Sequence, residues 1–228
     1  MNKIIKNYEN FYEKKIKQVN KKFLFPSEWL GRIIFGQLTG IKKIKNETVL
    51  DYSCGYGRNL NLLKQKFKSV YASEISNKIV NNLKNADHVK KLKIKLFVAR
   101  AGVNKIKIFF DCIVCCNSIY YTKSIKTHIK EIKSFKTRLK NDGVLIFNVP
   151  SKNHYLIKTG RPKSSNSMLV TKDPMKLRNN VQNFIYFKSA KEVKKFYERY
   201  FSKVNVFKSL ISLNNNINED FYILVCSN

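Results

Sequence analysis

Two carboxylates and two glycines are grouped around one strand, turn and helix pattern between residues 47 and 74. Asp51 follows a short apolar run, Gly55 and Gly57 come directly after it, and Glu74 ends the next apolar run, 17 residues beyond Gly57. Glycines let a turn bring its backbone close to a ligand. Carboxylates at the ends of strands can accept hydrogen bonds from ribose hydroxyls or attract a cation. The spacing therefore indicates a nucleotide-binding turn.

The sign of the charge narrows down which nucleotide this turn can hold. A pyrophosphate would lie against the N-terminus of the following helix, where Asp51 would repel it at close range. S-adenosylmethionine has no phosphate, and its ammonium and sulfonium groups are attracted by a carboxylate. Asp51 therefore favours S-adenosylmethionine as the cofactor, with Glu74 accepting hydrogen bonds from both ribose hydroxyls.

From residue 49 the chain reads Val-Leu-Asp-Tyr-Ser-Cys-Gly-Tyr-Gly. This resembles the first motif of the class I S-adenosylmethionine-dependent methyltransferases, usually written Val-Leu-Asp-x-Gly-x-Gly-x-Gly, with Ser53 in place of the first glycine. The resemblance covers about residues 45–228. It implies an α/β fold with a doubly wound, mostly parallel, seven-stranded Rossmann-like sheet and methyl transfer as the reaction. The alternative is a tight structural turn in another kind of α/β protein.

The same resemblance implies which residues contact the cofactor. Members of the family commonly carry an acidic residue just after the third strand for the adenine amino group, but Arg100 stands there in this chain. We expect adenine to stack on an apolar side chain instead. The predicted cofactor-binding residues are Arg32, Asp51, Ser53, Gly55, Gly57, Asn59, Glu74, Ile75 and Asn117.

Methylation of a hydroxyl would also need a general base. His154 follows the fifth predicted strand and Tyr121 follows the fourth, so both border the predicted cleft, and we take them as the candidate catalytic residues. The alternative for His154 is an ordinary exposed loop histidine. We expect His128 on the surface of a helix.

Apolar runs and helical stripes alternate five times along the chain before residue 150. This order is typical of a doubly wound sheet, in which ligands collect at the carboxyl ends of the strands. We divide the chain into a helical lid, residues 1–40, and a methyltransferase domain, residues 41–228. Within the domain, residues 151–188 are polar, contain glycine and prolines, and are expected to form a loop or lid.

The amino-terminal segment is aromatic and basic, and Ser27 is placed to cap a helix that begins after it. Glu28 and Arg32 have the spacing of a stabilising helical ion pair. We expect this helix to cover the cofactor, with simple packing against the domain as the alternative.

Composition limits the remaining choices. The net charge is +30 and the cations are mostly lysines, so polyanions would be attracted, although the composition alone does not choose a substrate. Five cysteines, an odd number, argue against disulfides, and the pair Cys112 and Cys115 lies in an apolar strand rather than in a metal site. No apolar run is long enough to span a bilayer and the start lacks the apolar centre of a secretion signal, so we expect a cytoplasmic location.

The class of the methyl acceptor is predicted from the absence of a motif after the fourth strand. Methyltransferases that act on nucleobase amines resemble one another in an (Asp/Asn)-Pro-Pro-(Tyr/Phe) sequence after the fourth strand, where this chain reads Asn117-Ser118-Ile119-Tyr120. A small-molecule or sugar acceptor therefore fits better than a base, and nucleic acid is possible but not favoured. The alternatives are an RNA methyltransferase and a non-catalytic protein that kept the fold.

Overall fold

The computed structural model describes residues 25–41, 43–99, 103, 106–122, 124–170, 182–214 and 217–228. Predictions about the aromatic residues before position 25 and about Arg100 lie outside the described residues. Across the described ranges the chain forms ten strands, which are β1 (Thr48–Tyr52), β2 (Ser69–Glu74), β3 (Lys95–Val98), β4 (Phe110–Cys115), β5 (Leu139–Pro150), β6 (Arg161–Ser164), β7 (Ser167–Val170), β8 (Gln182–Ile185), β9 (Lys203–Asn214) and β10 (Ile217–Ser227).

Seven helices are described beside these strands. They pack around the strands as the alternating pattern predicts. Their bounds are α1 (Glu28–Ile34), α2 (Leu60–Lys66), α3 (Asn77–Asn85), α4 (Asp87–Lys91), α5 (Ile125–Lys136), α6 (Tyr155–Lys158) and α7 (Ala190–Tyr197).

Seven of the strands form one sheet in the order β3-β2-β1-β4-β5-β10-β9. The first five are parallel to one another, and β10 pairs antiparallel with both β5 and β9. The predicted doubly wound, seven-stranded fold is confirmed. The strand order reverses between β1 and β4, and ligands of such sheets bind where the carboxyl ends of the strands flank this point.

The centre of the sheet is covered on both faces. All six residues of β4 are buried, as are the last four of β1 and the last eight of β5. Continuous burial on both faces is what the unbroken apolar runs of these strands predict for a parallel sheet with helices on either side. The end of β1 is therefore held firmly between its two neighbours.

Serine side chains cap the beginnings of three helices. The hydroxyl of Ser76 accepts a hydrogen bond from the backbone N–H of Ile79, and Ser189 accepts one from Glu192. At the start of α5, the hydroxyl of Ser124 accepts a hydrogen bond from the backbone N–H of Thr127. These caps satisfy N–H groups that have no partner within the helix and set where each helix starts.

The segment after β5 is built differently from the expectation. The sequence predicts a loop or lid for residues 151–188, but they contain α6 and a three-stranded antiparallel sheet in the order β6-β7-β8. An isolated bridge pairs Tyr121 with Phe184 and so joins this small sheet to the segment after β4. The prediction of a loop was wrong for the described part of this segment, because short strands packed against the main body satisfy its backbone.

The helix α1 packs against the domain through Leu30, Ile33 and Ile34, which are all buried. The guanidinium of Arg32 lies 2.6 Å from the carboxylate of Glu28, so the predicted ion pair is confirmed. Ser27 occupies the N-cap position, but its side chain makes no capping hydrogen bond, so that part of the prediction was wrong. The role of this helix as a lid over the cofactor stays a prediction.

His128 lies in the core rather than on a helix surface, which corrects the expectation. It is fully buried on α5, with Nδ1 3.0 Å from the carbonyl of Ile119 and Nε2 2.6 Å from the hydroxyl of Tyr197. The carbonyl can only accept, so Nδ1 carries the proton and Nε2 accepts the tyrosine hydroxyl. Burial lowers the pKa of His128 to about 4, so the neutral ring ties α5 to α7.

All five cysteines are free, and four of them are buried, as expected of small apolar residues in strands. In the part of the chain that the structure describes, no cluster of His, Cys, Asp or Glu is suited to a metal ion. None of the described helices has both the length and the apolar character needed to cross a membrane. The cytoplasmic location stays a prediction.

Tyr197→Phe should lower the free energy of unfolding by about 1–3 kcal/mol, because it leaves Nε2 of His128 buried without a donor. Chemical denaturation monitored by circular dichroism measures the change. Tyr200→Phe is the matched control, since Tyr200 is half-buried and borders the same helix. Equal effects of the two substitutions would show that the buried hydrogen bond contributes nothing specific.

Candidate active site

The turn after β1 has the backbone geometry that the glycine pattern predicts. Ser53, Gly55 and Gly57 have φ values of 57°, 56° and 78°. The N–H of Cys54 donates to the carbonyl of Ser73 at 3.0 Å, so the turn is fastened to the end of β2. Left-handed backbone is easy for glycine and strained for serine, so Ser53 keeps the turn at some energetic cost.

Gly57 also meets a steric limit. A Cβ atom at this position would lie 2.6 Å from Cδ1 of Leu60 and 3.3 Å from Cδ2 of Leu83, two side chains of the core. The turn therefore packs directly on the first residues of α2 and on α3. Any side chain here would push the turn away from the helices that position it.

Asp51 is the most unusual group in the site. Its side chain lies at the carboxyl end of β1 and is 1% exposed, and Oδ2 has no hydrogen-bond partner among the described residues. Burial and, to a smaller extent, the negative charge of Glu74 raise the pKa of Asp51 to about 8, although the guanidinium of Arg58 opposes both. An unpartnered buried carboxylate is costly, and its environment favours either a proton or a cation beside it.

Glu74 is equally buried, at 1% exposure, at the end of β2. Its two oxygens accept hydrogen bonds from the backbone N–H groups of Gly55, at 2.9 Å, and of Ile75. These backbone donors orient the group, and a carboxylate, with about four acceptor positions, can bind several donors at once, ribose hydroxyls among them. The structure thus brings Asp51, Glu74 and the glycine turn together, as the sequence predicts.

Asn59 and Arg58 connect the turn to the amino-terminal segment. Oδ1 of Asn59 accepts the backbone N–H of Ser27 at 3.0 Å in a buried position, and Nε of Arg58 donates to the carbonyl of Phe25 at 3.0 Å. Asn59 was predicted to contact the cofactor; its side-chain oxygen binds Ser27, and the cofactor contact stays a prediction. Sequence reasoning missed Arg58, although a cation directly after the second glycine was a usable signal.

Arg32, another predicted cofactor contact, lies on the outer side of α1. More than half of its side chain is exposed and its guanidinium is paired with Glu28. The cation that acts on Asp51 is Arg58, not Arg32. The structure therefore does not bring Arg32 into the group around the turn.

Cys116 lies where three parts of the site meet. Burial raises the pKa of its thiol, as does the charge of Asp51, while hydrogen bonds with the side chains of Ser27 and Asn59 act in the opposite direction. The thiol therefore stays neutral and serves as a contact between the end of β4 and the segment before α1.

Asn117 follows β4 with a φ of 52° and is clasped by Asn148 of β5. Its backbone N–H donates to Oδ1 of Asn148 at 2.7 Å, and Nδ2 of Asn148 donates back to Oδ1 of Asn117. Asn148 is fully buried, and sequence reasoning did not assign it a role. The pair fixes the turn at the carboxyl edge beside β1.

His154 has a clear structural role. It is 3% exposed, and its Nδ1 accepts the backbone N–H of Leu156 at 3.2 Å, so it caps α6. Its ring stacks on Tyr155 and meets the edge of Phe221 at centroid distances of 4.8 Å and 4.6 Å. With Nδ1 accepting, the proton of the neutral ring lies on Nε2, and in that form His154 is a donor on its other side. Its role as a base stays a prediction.

Tyr121, the other candidate catalytic residue, is half-buried in the segment after β4, where it forms a bridge to Phe184 of the small sheet. Its hydroxyl lies 3.4 Å from that of Tyr120, and its ring packs 4.9 Å from that of Phe184. Tyr120 in turn contacts Phe221 of β10. These rings join the ends of β4, β8 and β10, and Tyr121 is the one that is partly open to solvent.

The site fits a cationic adenosyl cofactor better than a phosphorylated one. The buried, unpartnered oxygen of Asp51 favours a positive charge beside it. Glu74 offers hydrogen-bond acceptors next to a turn whose backbone can come close to a ligand. Ile75, half-buried directly after Glu74, stays the predicted contact for adenine. A pyrophosphate at the same place would meet two buried carboxylates.

A family model described as "Methyltransferase domain" matches residues 27–200. The chain belongs to this family. The match extends from the residue before α1 to just beyond the end of α7, so it includes the glycine turn and both carboxylates. The predicted S-adenosylmethionine-dependent methyltransferase and its cofactor are thereby confirmed.

Solved structures of methyltransferases share the fold. An S-adenosylmethionine-dependent methyltransferase from Clostridium acetobutylicum ATCC 824 is 18% identical, with a TM-score of 0.65 over 96% of this chain and 98% of that chain. DhpI in a complex named with SAM and HEP is 11% identical, with a TM-score of 0.61 over 97% and 96%. The glycopeptide N-methyltransferase MtfA with S-adenosyl-L-methionine is 12% identical, with a TM-score of 0.57 over 87% and 93%. A comparison with curated proteins finds no match.

Gly57→Ala should weaken cofactor binding and lower the free energy of unfolding by about 1–3 kcal/mol, because the new methyl group overlaps Leu60. Gly40→Ala is the matched control, since Gly40 has the same φ of 78° and a Cβ atom added there would meet no other atom within 4 Å. Thermal unfolding and calorimetric titration with S-adenosylmethionine measure both effects. If the two variants lost the same stability, backbone strain alone would explain the result.

Proposed function

We propose that this methyltransferase transfers the methyl group of S-adenosylmethionine to a small-molecule or sugar acceptor at the carboxyl edge of its sheet. The observation that carries the proposal is the buried carboxylate of Asp51, unpartnered at Oδ2 among the described residues, beside Glu74 and the glycine turn. This arrangement suits a ligand that brings its own positive charge.

The cofactor supplies an electrophilic methyl group on a cationic sulfur, and the chain has to bind, orient and enclose it. Asp51 would balance the positive charge of the methionine end, and Glu74 would accept hydrogen bonds from the ribose. The glycine turn permits close approach of the backbone. Methyl transfer is an in-line displacement, so this alignment supplies much of the rate.

The clasp between Asn117 and Asn148 supports an acceptor other than a nucleobase. An asparagine that grips a flipped base has to present its amide to that base. In this chain Oδ1 of Asn117 already accepts a hydrogen bond from Asn148, which is fully buried. Tyr121, four residues further along the chain, is half-buried, and its aromatic ring and hydroxyl suit a neutral, hydroxylated or aromatic acceptor.

The anchored amino-terminal segment also supports a small acceptor. Hydrogen bonds from Ser27 to Asn59 and from Arg58 to Phe25 hold the start of α1 against the turn. A helix fixed there would narrow access to the cofactor and exclude water from the reacting atoms. One of the structural neighbours is named as a glycopeptide N-methyltransferase, which is consistent with this class of substrate.

Glu74→Ala should weaken binding of S-adenosylmethionine by about 1.5–3 kcal/mol, because hydrogen bonds to a charged group are lost. Isothermal titration calorimetry measures the affinity. Asp87→Ala is the control, since the carboxylate of Asp87 is 91% exposed and outside the site. Unchanged affinity in Glu74→Ala would remove Glu74 from the cofactor site.

His154→Asn separates a capping role from a catalytic one. Asparagine also caps helices but is not a base, so a structural role predicts a folded protein that keeps most of its methyl transfer, while His154→Ala loses about 1 kcal/mol of stability. Acceptor candidates are screened with radiolabelled cofactor, and both variants are compared on the acceptor found. A folded His154→Asn protein whose rate falls by about a hundredfold or more would establish His154 as the base.

An RNA methyltransferase is the second candidate, and the exposed face of α5 favours it. Lys126, Lys130, Lys133 and Lys136 are all exposed there, and neither Lys126 nor Lys130 has an ion pair among the described residues. Such a row would track phosphates. We expect no submicromolar binding of structured RNA in a gel shift at physiological salt. Persistent binding under those conditions would favour RNA over a small molecule.

A further inference from the structure

We propose that Asp51 and Glu74 together hold one proton in the cofactor-free protein and release it when S-adenosylmethionine binds, so that cofactor capture is coupled to proton release. The inference rests on the proposed cofactor site and adds a property of its two carboxylates. It concerns how the empty site is kept electrically balanced.

The geometry indicates which of the two carboxylates carries the proton. Both carboxylates are 1% exposed and lie at the ends of the neighbouring strands β1 and β2. Glu74 accepts two backbone N–H groups, which stabilise its ionised form. Oδ2 of Asp51 has no partner among the residues that the structure describes. The proton therefore resides on Asp51.

The groups that face Asp51 do not supply a compensating buried cation. Arg58 is the cation that opposes the shift, and its side chain is exposed, so water screens it. The other titratable groups facing Asp51 are thiols of the turn and of β4 and its end, whose pKa values are raised by burial, so they stay neutral: Cys54, Cys112, Cys115 and Cys116. Burial and the charge of Glu74 accordingly raise the pKa of Asp51 to about 8.

When the cofactor binds, its positive charge replaces the proton on the carboxylate of Asp51. The O–H bond of Asp51 breaks, the proton passes to the buffer, and the carboxylate electron pair remains to face the cationic cofactor. No electrons are transferred. Because only the ionised form of Asp51 pairs well with the cofactor, its affinity should rise about tenfold per pH unit from about pH 6 to about pH 7. The ammonium of the cofactor remains largely protonated in this range.

Isothermal titration calorimetry in buffers of different ionisation enthalpy, such as phosphate, HEPES and Tris, measures the protons released. At pH 7 we expect close to one proton per bound cofactor, because a group with a pKa of about 8 is about nine-tenths protonated there. 5′-Methylthioadenosine, which has the adenosyl group without the positive charges, should bind without proton release. Equal release with both ligands would overturn the proposal.

Asp51→Asn tests the assignment of the proton. The amide resembles the protonated acid in shape, so the variant should fold, bind the cofactor weakly and release no proton. Glu131→Gln is the matched control, because Glu131 is also a mostly buried acid, with its pKa raised to about 7 by burial, but it lies on α5 and binds the hydroxyl of Tyr52. This variant should release the same proton as the unaltered protein.

The cofactor-free protein gives a second readout. An acid whose pKa is raised in the folded state binds a proton that the unfolded chain has lost, so stability falls as pH rises from about 4 towards about 8. Asp51→Asn in the Glu131→Gln background should flatten this decline relative to Glu131→Gln alone. An identical decline would overturn the proposal.

The two levels of the proposal can fail separately. If S-adenosylmethionine binds but no buffer shows proton release, the coupling is wrong and the proposed function stands. If S-adenosylmethionine does not bind at high micromolar concentration, the proposed function is wrong as well.

Discussion

The burial of a carboxylate at the end of β1 is the constraint on which the site depends. Asp51 is paired in register with Ala72 on one side and with Val114 on the other, so two strands enclose it. A free loop would turn the acid towards water, but the central strand of a doubly wound sheet does not allow this. The fold therefore creates a place where negative charge is unfavourable until a proton or a cation arrives.

The glycine turn then converts this charge into a binding site. Its left-handed residues redirect the chain after Asp51, and the N–H of Gly55 points at Glu74, so the second carboxylate is oriented by the same backbone that would face the cofactor. Asn59 and Arg58, at the end of the turn, hold the segment before α1. A shift of the turn would therefore also displace both carboxylates and the amino-terminal helix.

Comparison of sequence and structure shows which features local patterns can predict. Asp51, Glu74 and the glycines were found because strand ends and turns have residue preferences that act locally. The hydrogen bonds of Asn59 and His154 were not predicted. Their partners are the backbone N–H groups of Ser27 and Leu156, and a pattern of side chains does not indicate such partners. His128 carried a signal that was missed, because it lies four residues before the buried Ile132 on the same helical face.

The small sheet after β5 illustrates a different limit. Every residue of β6 is exposed, so its sequence has none of the alternation that indicates a strand. It pairs with β7 across a two-residue turn, and the bridge from Tyr121 to Phe184 of β8 joins the small sheet to the segment after β4. Short edge strands of this kind are specified by their neighbours more than by their own residues.

The central parallel strands of the main sheet differ in the polar side chains at their carboxyl ends, and this difference gives the site a direction. Asp51 and Glu74 lie at the ends of β1 and β2, whereas Asn117 follows β4 and Asn148 lies near the end of β5. Beyond β5, the carboxylate of Asp220 on β10 is paired with Lys208. Under the proposed function, the cationic cofactor would be drawn to the two carboxylates, and the acceptor would lie beside the amide pair. An acceptor there would be separated from Asp51 and Glu74, so these acids would balance the positive sulfur on the side away from the attacking atom.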